Sequence, residues 1–324
     1  MNKKRAEYIK RCEVSQVKEY ELGGYKQKVV FDGLKSSSPI LLFLHGGPGF
    51  PIPFCEGSRG IFPDFSDHFI MVYWDQLGCG INNHLIDDTF TIAHFVNMTI
   101  DLIRYIKKDY PNNKIILLGV SWGSVLALEA SAKAPELIDY TVTYGQITKQ
   151  LFFNNEVYHT LEGAKLPEKD RKIMEELKGK SSHDNEDVKI LAKSIMKYTN
   201  GYIHKEGEKI KLWPLIYGIL ESPDYTFKNF VAMVKNGSAK NKSIWEELLE
   251  IDLTNDLLHL QKPYLMIQGN SDIVTSTTTV KSFMEQNDLP NITLKIVEKS
   301  GHIPGVDAIS KILFNLMSIK DSMN

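Results

Sequence analysis

Ser121 stands between two glycines in Gly119-Val120-Ser121-Trp122-Gly123. A short apolar run, Ile115 to Leu118, precedes this segment, and a helix-compatible run, Val125-Leu126-Ala127-Leu128-Glu129-Ala130, follows it. A strand running through Gly-x-Ser-x-Gly into a helix is the sequence form of a nucleophile elbow, which lifts the serine hydroxyl clear of a sheet. A side chain two positions either way would clash in so sharp a turn, which accounts for both glycines. The turn also places the Trp122 N–H at a helix N-terminus, where developing negative charge is favoured.

A serine used in this way needs a base, and the base needs an orienting acid. On elbows of this kind the chain order is Ser, then Asp or Glu, then His. Asp272, in Gln268-Gly269-Asn270-Ser271-Asp272, lies just past an apolar run, and His302, in Ser300-Gly301-His302, lies behind another. Both fall at expected carboxyl ends of strands, where open α/β sheets bind ligands. The other histidines fit less well: His68, His84 and His94 precede the serine, His159, His183 and His204 fall in a helical insertion, and His259 comes before its strand. An oxyanion hole needs two preorganised donors. Trp122 N–H is one, and the glycine turn His45-Gly46-Gly47-Pro48-Gly49 offers the second, with Gly47 preferred to Gly46 and His45 shaping the turn.

The elements that must position these residues follow from hydrophobic periodicity. Val14–Leu22 and Tyr25–Phe31 flank Gly23-Gly24 and read as a hairpin. Ile40–Leu44 and Phe69–Trp74 are continuous apolar runs, the mark of strands buried on both faces. A helix is expected near Thr91, with Ile92, Phe95, Val96, Thr99, Leu102, Ile103 and Ile106 on one face and Pro111 beyond its end. Further strands are expected at Tyr140–Tyr144, Tyr264–Gly269 and Thr293–Val297, with a closing helix from Val306 to Met317. Between Ile147 and Leu260 the pattern turns helical and rich in lysine and glutamate, as in Ile173–Leu177 and Val188–Tyr198. Trp213-Pro214 and Pro223 are expected to mark breaks between its helices. The fold class expected is α/β, a mostly parallel sheet with helices on both faces and an inserted helical cap. The corresponding division is core over 1–146, cap over 147–260 and core again over 261–324.

The chain of 324 residues is 43% hydrophobic, enough for a large core with an insertion. A net charge of −2 with scattered lysines and acids argues against nucleic acid or a membrane as the main partner. No apolar run approaches the roughly 20 residues that span a bilayer, and no apolar h-region follows the charged N-terminus. Cys12, Cys55 and Cys79 show no metal-ligand spacing, so a cytoplasmic setting without metal or other cofactor is expected.

Taken together, these residues resemble the proline iminopeptidase-like (prolyl aminopeptidase) branch of the α/β-hydrolases. Members carry His-Gly-Gly-Pro-Gly after a core strand, Tyr-x-Asp-Gln-x-Gly-x-Gly after the next, and Gly-x-Ser-Trp-Gly-Ser at the elbow. Here these stand at His45–Gly49, Tyr73–Gly80 and Gly119–Ser124. The resemblance covers about Val14–Tyr144 and Tyr264 to the end, and not the cap. It implies release of an N-terminal residue, often proline, from small peptides, with Ser121 as nucleophile, His302 as base, Asp272 as its orienter and no metal. The chain departs from the pattern at Leu77, where arginine is common, and at Asn82, where serine is common. Family peptidases bind the substrate amine with glutamates, mainly from the cap; the cap here has acids such as Glu156, Glu162, Glu221 and Asp224, with no motif to select among them. The cap aromatics Phe152, Phe153, Tyr158, Trp213, Tyr217, Tyr225 and Phe227 are candidates for lining a pocket or for cap core. Ser121 excludes the aspartate-nucleophile dehalogenases and epoxide hydrolases. What remains is an aminopeptidase or amidase on short peptides, a carboxylesterase or other small-molecule acyl hydrolase with the same triad, or a non-catalytic binding protein on a hydrolase scaffold.

Overall fold

The computed structural model describes residues 3–50, 59–208, 212–235 and 240–323, so Cys55 lies outside the described residues. Eight strands form one sheet: β1 (Val14–Leu22), β2 (Tyr25–Gly33), β3 (Ile40–Leu44), β4 (Ile70–Tyr73), β5 (Ile115–Val120), β6 (Tyr140–Tyr144), β7 (Tyr264–Gly269) and β8 (Ile292–Val297). Their spatial order is β1-β2-β4-β3-β5-β6-β7-β8. The β1–β2 hairpin and the β2–β4 pair are antiparallel, and every other neighbour is parallel.

Every residue of β3 and β4 is buried, as continuous apolar runs require when both sheet faces are covered. Alternation sorts their side chains into two cores. Ile40, Leu42, Leu44, Val72, Ile115 and Leu117 face one way, and Leu41, Phe43, Met71, Ile116 and Leu118 the other. Helices α1 (Lys3–Arg11), α2 (Pro63–Ser66), α3 (Ile92–Asp109) and α4 (Trp122–Lys133) precede or alternate with the early strands. The first core is closed by α3 and α4, through Phe95, Leu102, Val125 and Leu126, and the second by Phe65 of α2 and by Ala308, Ile312 and Leu316 further along the chain.

Between β6 and β7 the described residues hold helices and no strand beyond a single Lys149–Asp252 bridge: α5 (Asn155–Glu162), α6 (Glu168–Lys178), α7 (Asn185–Tyr198), α8 (Leu212–Leu220), α9 (Phe227–Lys235), α10 (Lys242–Glu250) and α11 (Thr254–Leu258). Pro214 sits in the first turn of α8, where its missing N–H costs no helical bond, and Pro223 lies between α8 and α9. The chain closes with α12 (Thr277–Gln286) and α13 (Val306–Ser322). Several boundaries move from the expected ones: β2 runs on to Gly33, paired with Val14, β4 is one residue shorter at each end, β5 continues to Val120, β8 begins at Ile292, and α13 continues past Met317 to Ser322. The charged α1 had no expected counterpart. Its buried residue is Arg5, whose Nε donates to Arg59 O at 2.6 Å, so polar bonds rather than an apolar stripe hold this helix.

Candidate active site

The carboxyl ends of β3, β4, β5, β7 and β8 converge on Ser121. The elbow forms because β5, paired with β3 and β6, must turn at once into α4. Ser121 absorbs the turn at φ 53° and ψ −119°, and its N–H donates to Tyr144 O of β6 at 2.9 Å. A non-glycine residue in that region is strained by its Cβ. Both flanking glycines are needed for close approach. A Cβ on Gly119 would meet Gly123 O at 2.5 Å, and one on Gly123 would meet Leu44 O at 1.9 Å.

Ser121 Oγ lies 2.8 Å from His302 Nε2, and His302 Nδ1 lies 3.0 Å from Asp272 Oδ2. His302 and Asp272 are buried. The carboxylate also accepts from Thr275 Oγ1 at 2.7 Å and from the N–H groups of Val274 and Thr275 at 2.9 and 3.1 Å. Those bonds fix its orientation and leave Oδ2 aimed at the imidazole. The acid and histidine loops are stitched together, with Ser271 N–H donating to Ser300 O at 3.0 Å. Such a serine–imidazole–carboxylate series can move a proton from hydroxyl to imidazole while the carboxylate stabilises the imidazolium.

Three further residues complete this arrangement without any local signal in the sequence. Gly145, just past β6 at φ 65°, takes a left-handed turn beside the pair: a Cβ there would touch both in ordinary contact, 3.4 Å from His302 Nδ1 and 3.5 Å from Asp272 Oδ2. Gly201 O accepts the His302 N–H at 2.9 Å and Tyr202 O accepts the Ile303 N–H at 2.8 Å. The Tyr202 ring stands 5.7 Å from the imidazole. The helical insertion thus braces the histidine loop. These contacts join residues far apart in sequence, and no local pattern encodes them.

The glycine turn packs against the elbow, since a Cβ on Gly46 would lie 3.3 Å from Val120 O and 3.6 Å from Ser121 Cβ. Trp122, as the first residue of α4, has no intrahelical acceptor for its N–H. His45 is fully buried, and burial pushes its imidazole down to about 4. Its Nε2 accepts the Gln76 N–H at 3.0 Å, so the proton sits on Nδ1, which donates to Gly46 O at 2.8 Å. The neutral ring therefore shapes the turn. An unfolded histidine titrates near 6.5, so as pH falls from there towards 4 the unfolded state takes up a proton that the folded state refuses. That should cost about 3 kcal/mol of stability across the window. Urea unfolding at pH 7, 5.5 and 4.5 on the wild type and on His45→Gln should show a steeper loss in the wild type; equal slopes would refute the assignment.

The cap acids singled out above are mostly engaged. Glu156 accepts from Ser276 and Thr278 at 2.7 and 2.8 Å, Glu162 pairs with Lys178 at 2.6 Å, and Asp224 pairs with Arg59 at 2.8 Å in a largely buried bridge. Glu221 Oε2 is buried with no hydrogen-bond partner among the described residues. Of the cap aromatics, Phe152, Tyr158 and Tyr225 are buried and Phe153 stacks on His183, whereas Trp213, Tyr217 and Phe227 are exposed. Two clefts, of about 350 and 710 Å³, lie away from Ser121: one between α5 and α12, the other between α1 and Gly60–Pro63. Among the described residues no cluster of His, Cys, Asp or Glu could hold a metal ion, and no helix is long and apolar enough to cross a membrane.

Residues 39–168 match the family model described as the α/β hydrolase fold. With the eight-stranded, mostly parallel sheet, that match defines the class: the chain carries an α/β-hydrolase domain, and it is a hydrolase. Within the class it is similar to aminopeptidases. A probable aminopeptidase, YbaC of Bacillus subtilis, is 22% identical over 299 residues, spanning 91% of this chain and 92% of its own. A proline iminopeptidase of Lactobacillus delbrueckii subsp. bulgaricus is 24% identical over 281 residues, 84% of this chain and 86% of its own. The crystal structure of the proline iminopeptidase of Mycobacterium smegmatis superposes with a TM-score of 0.64 at 16% identity, covering 95% of this chain and 98% of that one. At that identity the superposition speaks for the fold alone.

Proposed function

We propose that the protein is a serine hydrolase working through an acyl-enzyme, with Ser121 as nucleophile, His302 as general base and Asp272 as its orienter. The observation that carries this reading is the hydrogen-bonded series Ser121–His302–Asp272, at 2.8 and 3.0 Å, on a strained elbow. His302 Nε2 takes the hydroxyl proton as Ser121 Oγ bonds to the substrate carbonyl carbon. The negative charge that forms on the carbonyl oxygen faces the N–H groups of Trp122 and Gly47. Collapse breaks the bond to the leaving group, which departs with the proton from His302. Water then repeats the sequence and frees the acid and Ser121. Residues 147–260 are the cap over this site, inserted between core segments 1–146 and 261–324, and neither step needs a metal or other cofactor. The cysteine thiols, Cys12 half-buried and Cys79 buried, suit a cytoplasmic enzyme.

The substrates we infer are short peptides or aminoacyl amides, cleaved after their N-terminal residue. The names of the aminopeptidase and iminopeptidase relatives support this. A carboxylesterase is the second reading, favoured by the engagement of Glu156, Glu162 and Asp224 elsewhere, which leaves few cap carboxylates to hold an amine. Proline and alanine arylamides should be cleaved with kcat/KM at least about tenfold above that for N-blocked analogues, as one unmade charged contact requires. Activity on short acyl esters with none on free-amine arylamides would instead establish the esterase.

A further inference from the structure

Two amide donors that must converge on one oxygen come from separate segments: Gly47 from the turn after β3, and Trp122 from the elbow after β5. Gln76, after β4, bonds to both segments. Its Oε1 accepts the Trp122 indole N–H at 2.8 Å. Its main-chain N–H donates to His45 Nε2 at 3.0 Å, and its side-chain Nε2 reaches His45 O at 3.4 Å. His45 passes the connection to Gly46 O at 2.8 Å. Gln76, His45 and Trp122 are all completely buried. The orientation of the amide is settled by its partners, since an indole only donates and a carbonyl only accepts. Phe95 also meets the indole edge-on, with ring centroids 5.9 Å apart.

We propose that Gln76 is a positioning residue for acyl transfer: it fixes the spacing between the Gly47 turn and Trp122, so that both amides meet the same oxyanion. This rests on the reading of Ser121 and its oxyanion hole given above. Oxyanion donors act only within about 2.7–3.1 Å of the transition-state oxygen, so a shift of a few tenths of an ångström weakens them without touching the substrate's ground state. Ground-state binding involves the rest of the substrate, which Gln76, fully buried behind the turn, does not reach.

The test compares Gln76→Leu, Gln76→Glu and Trp122→Phe with wild type and Ser121→Ala. Gln76→Glu keeps an acceptor for the indole and loses the donor to His45 O, while Trp122→Phe removes the indole N–H, together with part of the buried ring, and leaves Gln76 in place. For each variant, kcat, KM, melting temperature and the affinity of an alkyl boronic acid, which forms a tetrahedral serine adduct, are measured. Gln76→Leu and Trp122→Phe should lower kcat about 10- to 100-fold with KM within about threefold, and weaken the boronate by a matching factor. Gln76→Glu should fall between these variants and wild type. A merely structural role would lower melting temperature without that match. The proposal is overturned if folded variants keep kcat within about threefold, or if kcat falls while boronate affinity holds. Should Gln76→Leu not fold, Trp122→Phe decides by the same criteria. Full activity in Ser121→Ala would instead sink the underlying serine-hydrolase reading.

Discussion

Ser121→Ala should lower kcat by about 10⁴- to 10⁶-fold and abolish labelling by a fluorophosphonate probe. On the mechanism proposed above, the size of the loss follows from the triad acting as a unit. Once the hydroxyl is gone, His302 would have no proton to take, and what would survive is the field of the Trp122 and Gly47 amides acting on a water molecule. The fold should be untouched, because Ser121 Oγ has His302 Nε2 as its partner and supports no core contact. Strain gives a second, independent readout. At φ 53° the cost comes from the Cβ, which alanine retains and glycine lacks. At an ordinary site glycine is less stable than alanine by about 0.5–1 kcal/mol. Here Ser121→Gly should be at least as stable as Ser121→Ala, since relief of about 1–2 kcal/mol of steric cost offsets the entropy. Both variants should be equally inactive. Substantial turnover in either, on any substrate the wild type cleaves, would contradict Ser121 as nucleophile.

That the elbow could be read from sequence while its surroundings could not has a physical basis. Gly119, Ser121 and Gly123 stand within five residues, so the pattern is local, although Gly123 answers to Leu44 of β3. The apolar runs at Ile40–Leu44 and Ile115–Leu118 announce buried strands because both sheet faces are covered, and β3 and β5 lie side by side. Asp272 and His302 were identified by their order and their places behind strands, and their loops close to 3.0 Å. Gly145, Gly201 and Gln76 carry no local signature, since each acts through a partner far away in the chain, whereas Thr275 bonds to Asp272 three residues before it and is one hydroxyl among several in a polar loop. Gln76 stood within the Tyr73–Gly80 stretch, but its bond to Trp122 exists only because β4, β3 and β5 are neighbours. Helix α1 was missed for another reason: a helix held by Arg5 through carbonyl oxygens has no apolar stripe to detect. The cap acids show why composition alone selects none of them: Asp224 is taken by Arg59, a partner 165 residues away.

The largest structural effect should come from Gly123→Ala. The added methyl would sit 1.9 Å from Leu44 O, 2.5 Å from Leu44 C and 2.8 Å from His45 O. All three are main-chain atoms, so no rotamer change relieves the overlap. Leu44 pairs with Gly119 in the sheet, and His45 is held by Gln76, so β3 cannot retreat without breaking its ladder and the buried network beside it. Moving α4 instead would displace Trp122 and Ser121 from the same turn. The expected cost exceeds about 4 kcal/mol, enough to remove a large part of the stability of an ordinary domain. Urea or thermal unfolding should show a folded state lost or severely weakened. Any folded fraction should be inactive, because a shift at Leu44 and His45 carries Gly47 away from Trp122. Gly24→Ala is the control that separates collision from backbone strain. Gly24 has φ 80°, yet a Cβ there meets nothing within 4 Å. It should cost only the left-handed penalty of about 1–2 kcal/mol and leave kcat unchanged. Gly123 is helical, so backbone strain is not available to explain its loss, and equal losses in the two variants would mean that the contact of α4 with β3 does not set the cost at the second elbow glycine.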